Sequence, residues 1–141
     1  MSDTLNELYT KETFTGTASE AITEGALVAA IAGSEVTQTG SVEDKIGIKL
    51  CNESGDALIC VGVAFKAAAS GALVTVATQG LFRFRASAAI TAGAKVQFAA
   101  STDPYEVKTL VDATINAAGI GRALTGCSAA NEYVVVALNV G

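Results

Sequence analysis

Three cysteines and fourteen carboxylates are the side chains of this 141-residue chain best suited to chemistry, and it contains no histidine. Without His there is no Ser–His or Cys–His nucleophile pair. The commonest metal ligand is missing, as is the side chain that most readily moves protons near neutral pH. Cys51, Cys60 and Cys127 form neither a CxxC pair nor a zinc spacing. Their number is odd, and MSDTLNELYTKETF (1–14) has neither the basic start nor the apolar stretch of a secretory leader. The expectation is reduced thiols in the cytosol where the chain is made, packed as small hydrophobes. Two-carboxylate hydrolysis needs a pair of acids held across a substrate. Here the acids fall in turns and near the N-terminus, and the adjacent Glu43 and Asp44 would diverge on a strand. Gly-Lys never occurs, so there is no phosphate-cradling GxxxxGK[ST] loop. GIGRA (119–123) starts like a dinucleotide fingerprint but lacks the third Gly and a βαβ frame. The inventory predicts no enzyme, no cofactor and no bound metal.

Charge and composition narrow the partners. The net charge is −5, with Lys and Arg scattered along the chain. Nucleic-acid binding needs a basic footprint, and none is visible. No stretch approaches the roughly 18 apolar residues of a membrane-spanning helix. Half of the residues are apolar and only 16% are charged, with abundant Ala and Gly and no Trp. Such a surface is expected to be covered by other subunits. In LFRFRAS (81–87) Phe82 and Phe84 face one way and Arg83 and Arg85 the other. The arginines read either as a solvated face or as a contact for an acidic neighbour. A second copy of this acidic chain would qualify.

Short strands between turns must position these groups. IGIKL (46–50), ALICVGVAF (57–65), LVTVAT (73–78), LFRFRAS (81–87) and KVQFAAS (95–101) carry strand patterns, and YVVVALNV (133–140) reads as a strand covered on both faces. NESGD (52–56) and STDPYEV (101–107) are turns. SEVTQTGSVEDK (34–45) is a polar stretch, and EVKTLVDATI (106–115) fits strand or helix. Residues 1–20 hold four acids and thinly spaced apolar side chains. The spacing of Leu5, Leu8 and Tyr9 allows one helical turn. That segment is expected either to fray or to be an N-terminal arm ordering on a neighbour, with Leu5, Leu8, Tyr9 and Phe14 as anchors.

One octet occurs nearly twice. AITEGALV (21–28) and AITAGAKV (89–96) agree at six of eight positions, 68 residues apart. VGVAFKAAASGALVTVATQG (61–80) and AGIGRALTGCSAANEYVVVALNVG (118–141) then follow in the same order of strand, small-residue turn, apolar run and Gly. The reading is an all-β domain over 21–141, a small barrel or sandwich. It is built from two diverged pseudo-repeats, 21–80 and 89–141, preceded by the arm over 1–20.

The segment 62–101, with GVAF, VTVATQGLF and AITAGAKV, together with the closing GIGRAL and NEYVVVALNVG, resembles the capsid cement, or head-decoration, proteins of tailed phages. The resemblance covers 62 to the end. The acidic N-terminal segment and the insert 34–45 depart from it. It implies a structural virion protein on the outer surface of the mature head. Such a protein binds the major capsid protein, often as a homotrimer, and holds the lattice against internal pressure. Leu5, Leu8, Tyr9, Phe14, Arg83 and Arg85 are the candidate capsid or subunit contacts. The alternative is a phage-associated β-domain for recognition, of the fibre or glycan-binding kind. Few aromatics and no Trp speak against a sugar site.

Overall fold

β-branched residues alternating with small or polar ones favour extended chain, because each side chain then finds a pleated, half-buried surface. The computed structural model describes residues 7–32, 46–110 and 119–140, and within them this pattern gives nine strands. These are β1 (Glu7–Ala18), β2 (Leu27–Ala32), β3 (Ile46–Leu50), β4 (Cys60–Ala64), β5 (Leu73–Ala86), β6 (Lys95–Phe98), β7 (Glu106–Thr109), β8 (Gly119–Ala123) and β9 (Tyr133–Asn139). The polar stretch 34–45 and residues 111–115 lie outside the described residues. The strand expected over 57–65 begins only at Cys60. Ser54–Leu58 forms a 3₁₀ turn instead. Asp56 explains this: its buried carboxylate accepts the N–H groups of Asn52 and Glu53 at 3.0 and 3.1 Å and the Lys49 ammonium at 2.9 Å. Burial alone would raise the Asp56 pKa. The Lys49 contact and the two N–H bonds outweigh it and hold the group below its ordinary value. The same contact raises Lys49.

The pairing closes on itself twice. β1 pairs with β3 in parallel, β3 with β2, β2 with β4, β4 with β5, and β5 returns antiparallel to β1. This is a closed five-stranded barrel. β5 then pairs in parallel with β7, β7 with β6, β6 with β8, β8 with β9, and β9 returns antiparallel to β5. The long β5 thus serves both rings. The two strand patterns read at 73–78 and 81–87 are one strand of 14 residues passing through Gln79 and Gly80. Closure decides for a barrel over a sandwich and removes open sheet edges.

The expected arm differs from what forms. Glu7–Ala18 is strand rather than a helical turn, and it runs along β5 from Glu7↔Phe82 to Thr17↔Leu73. YTKETFTGT (9–17) is Thr-rich and alternating, which favours strand once a partner edge supplies the hydrogen bonds. The local i, i+3, i+4 spacing could not compete, since so short a helix is unstable alone.

Two clusters fill the molecule. Ala18, Ile22, Val28, Ile48, Ala64, Val74 and Val76 occupy the first ring. The larger cluster joins Phe84, Val96, Val107, Val134 and Val136 of the second ring to Leu27, Ala29, Cys60 and Val63 of the first. Main-chain contact adds to this junction: the Leu27 N–H donates to the Pro104 carbonyl at 2.8 Å. The Tyr105 hydroxyl also bonds Thr23.

Candidate docking surfaces

The side chains best suited to chemistry are spent on structure. Cys51 and Cys60 are both buried. Hydrogen bonding with the Cys60 thiol, followed by burial, pushes the Cys51 thiol far up, so it stays protonated and unreactive. Cys127 is half-buried, its thiol 3.6 Å from the Ala88 carbonyl. Among the acids, Asp103 and Glu106 both face Arg85, and Asp56 holds the 3₁₀ turn. Glu132 accepts N–H bonds from Ser128 at 2.7 Å and Ala129 at 3.0 Å. These bonds and the Ser128 hydroxyl hold its carboxyl below the usual range.

Cavities that open on the described surface include the following two. One, of about 660 Å³, lies among Phe14, Ala30, Leu58, Ile59, Val61 and Val140. The other, of about 420 Å³, lies beside Lys95, Arg122 and Asn139. No carboxylate lines either among the described residues. The larger is bordered mainly by apolar side chains, the smaller by two cations and an amide.

Of the six anticipated contact residues, Phe14, Arg83 and Arg85 have described side chains, and these do not gather in one place. Leu5 lies outside the described residues. Leu8 and Tyr9 belong to β1, with Tyr9 opposite Leu81. Phe14 is half-buried against the first ring's interior and borders the larger cavity. Arg83 is exposed and stacks on the Tyr133 ring, 4.8 Å from its centroid. Arg85 is tied inward: its guanidinium pairs with Asp103 and lies 3.6 Å from Glu106. Its Nε is buried without a hydrogen bond. The period-two pattern placed both arginines opposite Phe82 and Phe84, as found. It could not show that the 101–106 turn would fold over one of them.

Other exposed apolar side chains were not anticipated. Leu58 and Ile59 project beside the larger cavity, 57% and 43% exposed. Leu73 stands at the start of β5, and Leu124 and Tyr133 flank the turn between β8 and β9. The run YVVVALNV is covered on one face only: Val134, Val136 and Leu138 are buried, while Val135 and Ala137 are partly open. Hydrophobicity alone cannot tell a strand covered on both faces from one at the outside of a barrel.

Similarity to known proteins fits this surface-dominated picture. A family model described as phage cement protein matches residues 53–138, from the 3₁₀ turn to β9. Among solved structures, the head fiber gp8.5 N base of bacteriophage phi29 aligns over 91% of this chain and 93% of its own. The TM-score is 0.58 at 19% identity, a likeness of fold. No curated protein matches the chain.

Proposed function

We infer the role of this chain from its kinship: it belongs to the phage cement protein family. It is therefore a phage structural protein. Its specific task is to bind the outer surface of the mature head through the major capsid protein and to stabilise the lattice, with trimers as the favoured assembly. The observation that carries this reading is the combination of family with surface. Large apolar side chains stand exposed at Leu58, Ile59, Leu73, Leu124 and Tyr133, and neither cavity presents a carboxylate among the described residues. Exposed apolar groups gain free energy when another protein covers them. A cement that binds only the expanded shell stabilises it by mass action.

The test mixes purified protein with expanded and unexpanded heads of the source phage and counts bound copies by sedimentation. Cement binds the expanded form. The second reading, a recognition domain of the fibre or glycan-binding kind, is favoured by the fold likeness to a head fibre base. Absence from both head forms together with retention on immobilised glycans would select it.

A further inference from the structure

The two rings can be laid on one another residue by residue. The pair Thr17↔Gly47 between β1 and β3 has its counterpart in Arg85↔Glu106 between β5 and β7, both parallel. Val28↔Gly62 corresponds to Val96↔Gly121, and in each case a register shift follows at the next residue. Val63↔Ala77 corresponds to Arg122↔Ala137, and the isolated bridge Ile22↔Ala68 to Ile90↔Cys127. Left-handed backbone recurs at the matching turns, Gly25 with Gly93 and Gly71 with Asn131. The interior follows. Ala18, Ile22, Val28, Ile48, Ala64, Val74 and Val76 correspond to Ala86, Ile90, Val96, Val107, Ala123, Val134 and Val136, all buried. Six of these seven pairs are the same residue type.

We propose that the chain is a tandem duplication of one five-stranded unit, the two copies sharing β5, and that it thereby offers its partner one apolar contact twice, at Phe65–Leu73 and at Leu124–Tyr133. The equivalence begins before the repeated octet, at β1 and the second half of β5, so one copy ends on the strand that begins the next. Packing explains why the interior stayed alike. It does not explain why the same two positions, half-buried at Phe65 and exposed at Leu124, Leu73 and Tyr133, carry large apolar side chains in both copies. The Phe65 N–H donates to Thr75 at 2.8 Å and the Leu124 N–H to Val135 at 2.7 Å, which places both residues at the same step of their units. Leu73 and Tyr133 open the corresponding strands and are 61% and 55% exposed. A cation accompanies each aromatic ring: Lys66 lies 5.7 Å from the Phe65 centroid and Arg83 lies 4.8 Å from that of Tyr133. Tyr133 sits opposite Arg85, near the end of β5 away from Leu73. The contacts are therefore about 40 Å apart along the strand. A face that repeats fits a partner that repeats, so the occupant is two neighbouring copies of one capsid subunit, bridged by one chain. This rests on the capsid-binding reading above.

Leu73→Ser, Tyr133→Ser and the double variant are titrated onto expanded heads, after thermal unfolding has shown that each folds as the parent does. Each single variant weakens binding by a similar factor, roughly tenfold. The double variant weakens it by about the product of the two factors. Unaltered binding by either single variant overturns the proposal. So does a change confined to self-association of the free protein, read by light scattering. Failure of the parent chain to bind any heads is a different result, which removes the capsid-binding reading itself.

Discussion

Asp56 and Lys49 show how a charge pair can anchor a turn in a protein with few charges. Their contact at 2.9 Å lies under little solvent, with the side chains 6% and 17% exposed. The Asp56 pKa is lowered, so its contribution to stability is fully present above the ordinary 3.8 and is lost as pH falls through the folded value. The Lys49 pKa is raised, so its contribution is present below the ordinary 10.5 and is lost as pH rises through the folded value. Lys49→Met should cost about 3 kcal/mol at pH 7, because it leaves a buried carboxylate without its cation. Asp56→Asn should lower Tm at pH 7 and flatten the loss of Tm toward pH 3, measured by circular dichroism. Parallel pH curves for parent and variant would refute the assignment. The cysteines give a second prediction. A thiol reagent should modify Cys127 first in the native protein and reach Cys51 and Cys60 only on unfolding. A fast phase that survives in Cys127→Ser would contradict this.

At the level of elements, β5 carries the architecture. β1 and then β7 pair along it, as do β4 and β9, and no other described strand belongs to both rings. Close backbone approach fixes β4 against β5 and, in the second ring, β8 against β9. A Cβ on Gly62 would lie 2.2 Å from the Ala77 carbonyl oxygen, and one on Gly121 would lie 2.1 Å from that of Ala137. Gly62→Ala and Gly121→Ala should therefore each lower Tm markedly, as backbone must move to admit the methyl group. A Tm within a degree of the parent's would show that the strands shift freely. β1 makes a related point. Removing residues 1–14 takes away the pairings from Glu7↔Phe82 to Phe14↔Val76. The shortened chain should lose stability as well as any contact it makes with a neighbour. An unchanged Tm would restore the view of that segment as a detachable arm.

For the whole molecule, a shared strand and a core that crosses between rings imply a single cooperative unit. Val76→Ala inside the first ring and Val136→Ala inside the second should each cost about 2 kcal/mol. Both should shift one calorimetric transition without splitting it. Two separated transitions in either variant would mean that the rings melt independently. The same construction suits a cement. Among the described strands a closed barrel leaves no free sheet edge to polymerise, so contacts with any partner fall to chosen side chains.

Much of this was legible in residue order because period-two alternation is a local property. Phe82 and Phe84 inward with Arg83 outward and the turn at 52–56 follow from neighbours a few positions apart, and the paired octets from direct comparison of two stretches of the chain. The lack of His limited the chemistry before any fold was known. Other features depended on partners distant in sequence. β1 needed the edge of β5 to become a strand, Arg85 needed the 101–106 turn, and closure of the rings set which of Val134 and Val135 was buried. Hydrophobic pattern tells a side chain which neighbours it prefers; only the closed barrel determines which surfaces remain uncovered, and those surfaces are what a binding protein works with.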